Sequence, residues 1–216
     1  MDIDATEEAI VVALAQCVRV LSIDQIASST WLGGPFDPVE VDSKLRRLQS
    51  ANLVRLDERL AKPEVAVTSP LIAWVPGTQD EPELGRVAYR LKQRWGGVPR
   101  PTRFASATSN AKRLYGGFGK AYAPRADELT HDLHMGRLWT RFRGDLSDNL
   151  IWISEDRLRS EGVERLGAYS GRVPDAVLRS GNDPTPTMII EFGGAYAKPK
   201  LREIHEAFRA YPYTLW

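Results

Sequence analysis

Two carboxylates sixteen residues apart, Asp175 in Val173-Pro174-Asp175 and Glu191 in Ile189-Ile190-Glu191-Phe192, have the types and spacing to do chemistry. Val173–Leu178 and Thr187–Phe192 have the composition of short β-strands, and Arg179–Pro186 between them is dense in turn formers. If the strands fold back symmetrically about Asp183, Asp175 faces Glu191, Val177 faces Ile189 and Arg179 faces Thr187. Ala176 and Leu178 then share the opposite face with Ile190 and Met188. Like charges opposite each other on a ladder repel, so the pair calls for an explanation. A divalent cation between them would supply one, and so would a nearby Lys or Arg. A one-residue bulge would instead turn one carboxylate to the other face.

The elements that must position this pair lie on both sides of it. Ala126–Phe142 reads as a helix carrying Leu129, Leu133, Leu138, Trp139 and Phe142, with Glu128, His131, Asp132 and His134 as its ionisable residues. His131 and His134 share a face and read as a hydrogen-bonded, partly buried pair in preference to metal ligands. Leu150–Ile153 is a strand and Glu155–Gly162 a short helix. A closing helix from Pro199 to Ala210 has Leu201, Ile204 and Phe208 as its stripe, with His205 beside it in a structural role.

The first seventy residues have another character. Thr6–Leu21 reads as a helix capped by Thr6, and Ser22–Thr30 as a second with the capping-box spacing Ser22 to Gln25. Asp37 and Pro38 open a third helix, which runs to Ala51 with Val41, Leu45 and Leu48 on its buried stripe. Leu53–Leu56 reads as a strand, Asp57-Glu58-Arg59 as a turn and Val65–Val67 as the returning strand. Three short helices and a hairpin are the order of a winged helix, and Leu45–Val54 resembles the third-helix-to-wing junction of bacterial winged-helix proteins. In that family the third helix enters the major groove, which makes Lys44, Arg46 and Arg47 candidate DNA contacts. Ser43 and Gln49 would add polar contacts, and Arg55 and Arg59 phosphate contacts.

Pro70–Gly77 reads as a short strand or linker and Asp80–Trp95 as a helix with a basic outer face. Gly96–Arg125 is the least regular stretch. It carries Arg100, Arg103, Lys112, Arg113, Lys120 and Arg125 without an acidic residue among them, interleaved with Phe104, Tyr115, Phe118 and Tyr122. Basic residues interspersed with aromatics suit a surface that tracks a nucleic-acid backbone, and equally a connection whose aromatics pack on a neighbouring domain.

The whole chain bounds these readings. At 216 residues, 43% hydrophobic and 26% charged, it has the composition of an ordinary globular protein with room for one large domain or two small ones. A net charge of +1 leaves nucleic-acid binding to local patches. The single cysteine, Cys17, excludes an internal disulfide and a cysteine-rich zinc site. An acidic start, Met1-Asp2-Ile3-Asp4, and the lack of a long apolar run predict a cytoplasmic protein with no membrane partner.

The order of elements from Glu128 onward, with Pro174-Asp175 and Glu191, resembles the core of the PD-(D/E)xK nuclease superfamily. With the winged helix in front, the chain resembles the replication-relaxation family of plasmid and mobile-element proteins. The residues that carry this are Leu129-Thr130-His131-Asp132-Leu133, Val173-Pro174-Asp175-Ala176 and Ile189-Ile190-Glu191. The resemblance implies an α+β protein: a winged-helix DNA-binding domain over 1–77, a linking helix and basic-aromatic connection over 78–125, and a nuclease-like α/β domain over 126–216. In an active member Asp175 and Glu191 would bind Mg²⁺, with help from an acid on the preceding helix, Glu128 or Asp132. The superfamily's lysine belongs two residues after Glu191, where this chain has Gly193. Lys198 or Lys200 would have to take its place.

Three readings follow. The first is a protein that binds double-stranded DNA, acting in plasmid or mobile-element replication, mobilisation or transcription control. Lys44, Arg46, Arg47, Gln49, Arg55, Arg59, Arg103, Lys112, Arg113 and Lys120 would carry its contacts, a homodimer would be compatible with it, and the nuclease-like domain would be degenerate. The second is a Mg²⁺-dependent endonuclease using Asp175, Glu191 and Lys198. The third is a protein-interaction adaptor with no nucleic-acid role.

Overall fold

A computed structural model of the chain describes residues 2–78, 80–121, 124–145, 149–163, 168–181 and 183–216. Tyr122, named above among the aromatics, and Asn182, within the expected turn Arg179–Pro186, lie outside them. In chain order the elements are α1 (Ala5–Val12), β1 (Leu21–Ser22), α2 (Ile23–Ala27), α3 (Pro38–Ser50), β2 (Val54–Ala61), β3 (Ile72–Trp74) and α4 (Leu84–Arg94). There follow β4 (Arg100–Ala107), α5 (Ser109–Leu114), α6 (Ala126–Asp145), β5 (Leu150–Ser154), α7 (Glu155–Ser160), β6 (Ala176–Ser180), β7 (Pro186–Glu191), α8 (Lys198–Phe208) and β8 (Tyr213–Leu215). The fold is α+β, with one antiparallel and one mixed sheet. No helix among the described residues is long and apolar enough to cross a membrane.

The chain forms two compact units, each drawn from two stretches of sequence: Met1–Glu64 with Pro99–Leu146, and Val65–Val98 with Ser147–Trp216. This differs from the expected succession 1–77, 78–125 and 126–216. In particular α6, expected to open the nuclease-like domain, belongs to the first unit.

In the first unit Asp4, not Thr6, caps α1. Its carboxylate accepts the Glu7 N–H at 2.8 Å while the Glu7 carboxylate accepts the Asp4 N–H at 3.0 Å, a reciprocal capping box. The helix continues as a π-helical turn, Ala13–Cys17, and ends there, so Leu21 sits in β1 and not on the helix. Ser22 and Gln25 cap α2 as their spacing predicts, and α2 is shorter than expected. For α3, Asp37 is the cap, Pro38 the first turn, and Val41, Leu45 and Leu48 the buried stripe. Asn52 then takes the left-handed φ of +55° that ends it.

The returning strand is where the sequence reading fails. Asp57-Glu58-Arg59 is not a turn but the middle of β2, and Val65–Val67 is not a strand. The partner of β2 is β4, from the stretch expected to be least regular, in a register running from Val54↔Ala107 to Ala61↔Arg100. β1 adds to the other side of β4, giving the order β1-β4-β2. β4 escapes detection because Ala105, Ser106 and Ala107 are too small to give an apolar alternation, although all three are buried. Phe104 joins Val20, Ala61, Leu129 and Leu133 in a core cluster that holds α6 against the sheet. α6 approaches closely: a Cβ on Gly136 would lie 2.8 Å from the Val20 carbonyl oxygen.

The second unit is a five-stranded sheet in the order β3-β8-β7-β6-β5. β5, β6 and β7 form an antiparallel meander, and α8 then carries the chain across to β8, parallel to β7. β3 closes the far edge antiparallel to β8. β8 is too short to announce itself in sequence, yet Tyr213, Thr214 and Leu215 are all buried. Val177 and Ile189 of the meander pack with Leu91 of α4 and with Leu201, Ile204 and Phe208 of α8. α4 starts at Leu84 and α8 ends at Phe208, each shorter than expected.

Candidate functional site

The hairpin that carries the paired carboxylates forms largely as its sequence predicts. Ala176 pairs Ile190, Val177 pairs Ile189 and Leu178 pairs Met188. A bulge follows Leu178, so Arg179 meets Pro186 and not the expected Thr187. The bulge is at the turn end; the symmetric register holds as far as Ala176 and Ile190, and Asp175 stands immediately before β6, outside the strand it was expected to belong to.

The repulsion at that end is relieved by an arginine. The Arg172 guanidinium lies 2.5 Å from the Glu191 carboxylate, and Glu191 is 1% exposed. Burial works against the Arg172 charge, but Glu191 outweighs it and leaves the guanidinium above its ordinary pKa. Asp175 is engaged differently: its carboxylate accepts the backbone N–H of Phe192 at 2.8 Å. Tyr196 stands close enough to be affected; burial and the charges of Glu191 and Asp175 push its hydroxyl up to about 12. The approach to Arg172 is strained, because Tyr169 and Ser170 both hold left-handed φ values, +53° and +54°. Tyr169 is kept there by packing edge-on to Phe208 and Tyr211.

At Gly193, where the resemblance would call for a lysine, a side chain would meet close neighbours. A Cβ on Gly193 would lie 2.7 Å from Leu91 Cδ2 of α4 and 3.3 Å from the Trp216 carbonyl oxygen. The Gly193 N–H donates to Trp216 at 2.8 Å, and its carbonyl accepts from Arg94 and from the Trp95 indole, each at 3.1 Å. Lys198 lines a cleft with Glu81, Arg202 and His205, and Lys200 is paired to Glu203 at 3.0 Å.

The expected metal set of Asp175, Glu191 and Glu128 is drawn from both units, the first two residues from the second unit and Glu128 from the first. Glu128 stands in the first turn of α6, where its carboxylate accepts the Arg125 N–H at 3.2 Å. Asp132 is on the same helix, beside Arg19 and His131 at 3.6 Å from each. Among the described residues no group of three or more His, Cys, Asp or Glu side chains could hold a metal ion. His134 is fully buried with Nδ1 2.6 Å from the Thr130 carbonyl. His205 bridges the Tyr213 hydroxyl at 2.7 Å and the Glu81 carboxylate at 2.6 Å.

The candidate DNA contacts are all in the first unit, and most already hold a partner. On α3, Lys44 meets Asp4 at 2.6 Å, Arg46 meets Asp42 at 2.8 Å and Arg47 meets the buried Glu7 at 3.4 Å. Lys44 keeps 17% of its side chain exposed, against 64% for Arg46 and 53% for Arg47, so the two arginines lead this face. Ser43 and Gln49 are exposed beside them. Hydrogen bonds from Arg46, and less so from Arg103, hold the Asp42 carboxyl below its ordinary pKa despite some desolvation. On the sheet Arg103 reaches Asp42 at 2.5 Å, Arg55 meets Asp57 at 2.7 Å and Arg59 donates to the Pro124 carbonyl at 2.8 Å. The part-exposed pairs of Lys44, Arg46, Arg55 and Arg103 are each worth about 0–1 kcal/mol, so these cations can exchange a carboxylate for a phosphate at little cost, whereas releasing Arg47 would leave the buried Glu7 carboxylate without its guanidinium.

Of the remaining predicted contacts, Lys112 and Arg113 lie on α5 and Lys120 follows it. Lys112 is buried and donates to the carbonyls of Phe118 and Lys120, Arg113 donates to the Asn110 side chain at 2.8 Å, and Lys120 is exposed. Sequence reasoning missed Arg172 and the Leu91–Gly193 contact. Arg172 stands three residues before Asp175 and was open to notice; the Leu91 contact depends on the packing of α4 and has no local signal. No family model, no curated protein and no solved structure matches this chain.

Proposed function

We propose that this chain is a double-stranded-DNA-binding protein whose first unit is a winged helix reading DNA through α3. The observation that carries the reading is the division of α3 into two faces. Val41, Leu45 and Leu48 are buried, while Ser43, Arg46, Arg47, Gln49 and Ser50 are exposed in one short helix. The element order helix, strand, helix, helix, strand, strand and the sheet order β1-β4-β2 support it. Such a helix projecting from such a sheet has the dimensions to enter a major groove. The stretch between β2 and β4, residues 62–99, would then be an insertion at the wing.

After β3, the order helix, strand, short helix, two further antiparallel strands, helix and parallel strand in the second unit supports the nuclease-like reading. With α6 in the first unit, α4 supplies the leading helix. We read this unit as degenerate, because Arg172 pairs with Glu191 and Leu91 fills the space beside Gly193. It would serve as a scaffold or a second contact in a replication-relaxation-like protein of a plasmid or mobile element. A homodimer remains compatible with this role.

The adaptor reading draws on one observation, the intramolecular ion pairs that occupy Lys44, Arg46 and Arg47. A mobility shift on random and native-locus duplexes across a salt series separates the two. DNA binding predicts a complex at low salt whose log affinity falls linearly with log salt. No complex at low salt would leave the adaptor standing. Plasmid incubated with Mg²⁺ or Mn²⁺ is expected to stay supercoiled; nicking that disappears in Asp175→Ala would restore the endonuclease.

A further inference from the structure

The Gly-rich connection after α5 forms a cleft with the helix itself. Its volume is about 520 Å³, and Ser109, Lys112, Arg113, Gly117, Gly119 and Lys120 line it. Three of these are cations, and no acidic residue lines the cleft among the described residues. That sets it apart from the face of α3, where a carboxylate accompanies each cation.

The cleft is held in shape from two sides. The Phe118 N–H donates to the Ala15 carbonyl of the π-helical turn, and Gln16 donates to the Tyr115 carbonyl at 2.6 Å. A Cβ on Gly117 would lie 2.6 Å from that Ala15 oxygen, so glycine alone permits the approach. From below, the buried Lys112 ammonium draws in the carbonyls of Phe118 at 2.5 Å and Lys120 at 2.9 Å. Gly119 holds a left-handed φ of +68°, and among the described residues the N–H groups of Gly119 and Lys120 have no hydrogen-bond partner. Successive backbone N–H groups around a left-handed residue form an anion-binding concavity. Lys120 makes no ion pair among the described residues, and Arg113 is held by a neutral amide. Ser109 is exposed and lines the same cleft.

We propose that this cleft binds a phosphate group, and that the phosphate belongs to the backbone of bound nucleic acid. Arg113 and Lys120 make the charged contacts, Ser109 and the Gly119 and Lys120 N–H groups the neutral ones, and Lys112 supplies a fixed charge in the floor. The phosphate chemistry stands on the cleft alone; its source in nucleic acid rests on the DNA-binding function proposed above.

Two arms on the full chain test this. In the first, ¹⁵N-labelled protein is titrated with inorganic phosphate and, separately, with chloride at matched ionic strength. The Gly119 and Lys120 amide signals are expected to shift and saturate with phosphate only, and to stop doing so in Arg113→Gln/Lys120→Gln. Identical, unsaturating shifts with both anions would overturn the site. In the second, duplex affinity is measured across a salt series for both proteins. One lost phosphate contact lowers the log–log slope by about 0.9. An unchanged slope overturns the nucleic-acid source and leaves a free phosphate compound as the occupant. A wild-type chain that binds no duplex overturns the DNA-binding function and this source together, while the first arm still decides whether the cleft takes phosphate.

Discussion

Arg172 reaches the buried carboxylate of Glu191 at 2.5 Å, and this pairing decides the character of the hairpin. Two acids at the mouth of an antiparallel pair can gather a metal or be neutralised by the protein itself. Here the counter-charge is a guanidinium delivered by a strained turn. The pair is a structural ion pair with few exposed atoms, and its removal should be felt as lost stability. Arg172→Ala should destabilise the second unit by about 3 kcal/mol, the low end for breaking a buried pair, because the Arg172 side chain is 26% exposed. Adding Glu191→Gln to that background should recover part of the loss. Urea denaturation checks both; equal midpoints for wild type and Arg172→Ala would refute the pairing.

Asp175 serves as an acceptor for the Phe192 N–H. Asparagine retains a carbonyl oxygen at that place and alanine does not. Asp175→Asn should therefore cost little, while Asp175→Ala should cost about 1–3 kcal/mol by leaving a part-buried donor unsatisfied. Equal losses in the two variants would show that the charge, and not the acceptor, is what matters.

Gly193 and Leu91 should behave as a coupled pair. Gly193→Ala forces the Leu91 side chain to move and should destabilise by about 1–3 kcal/mol. Leu91→Ala alone leaves a cavity; in the double variant the new methyl group partly fills it. The cycle should show a favourable interaction of at least about 0.5 kcal/mol. Strict additivity would mean that the close approach is relieved elsewhere.

For DNA binding, the order of effects matters more than their size. Arg46→Ala and Arg47→Ala should each weaken duplex affinity and reduce the salt slope by about 1 per lost phosphate contact, while Glu191→Ala leaves both nearly unchanged. The reverse order, measured by fluorescence anisotropy, would move the contact to the second unit.

Acid should act partly through Glu161. Burial raises its carboxyl, but hydrogen bonds from Arg179 at 2.8 Å and Arg157 at 2.9 Å outweigh that and leave it below the ordinary value of 4.5. A carboxyl depressed in the folded state stabilises fully above its unfolded pKa and progressively less as pH falls through the folded one. Thermal midpoints should thus be insensitive to this group above about pH 5 and fall below pH 4.5. Glu161→Gln should flatten that acid limb; a limb of unchanged steepness would assign it to other carboxylates.

Much of the fold was legible locally. The Ser22–Gln25 box, the Asp37-Pro38 start of α3 and its stripe of Val41, Leu45 and Leu48 are set by neighbours within a turn or two. The β6–β7 register follows from a turn flanked by two short apolar strands. These features depend on near-neighbour geometry, which a sequence displays directly. What only the tertiary structure decided involves partners far apart along the chain. β2 pairs with β4 across the intervening 62–99, α6 joins the first unit, and Leu91 fills the place beside Gly193. The same holds for the chemistry: the sequence placed Asp175 opposite Glu191 and posed the question of their charge. The answer required the path of the chain through Tyr169 and Ser170, whose left-handed backbone is stabilised by packing against α8 and the residues after it, and which brings Arg172 to Glu191.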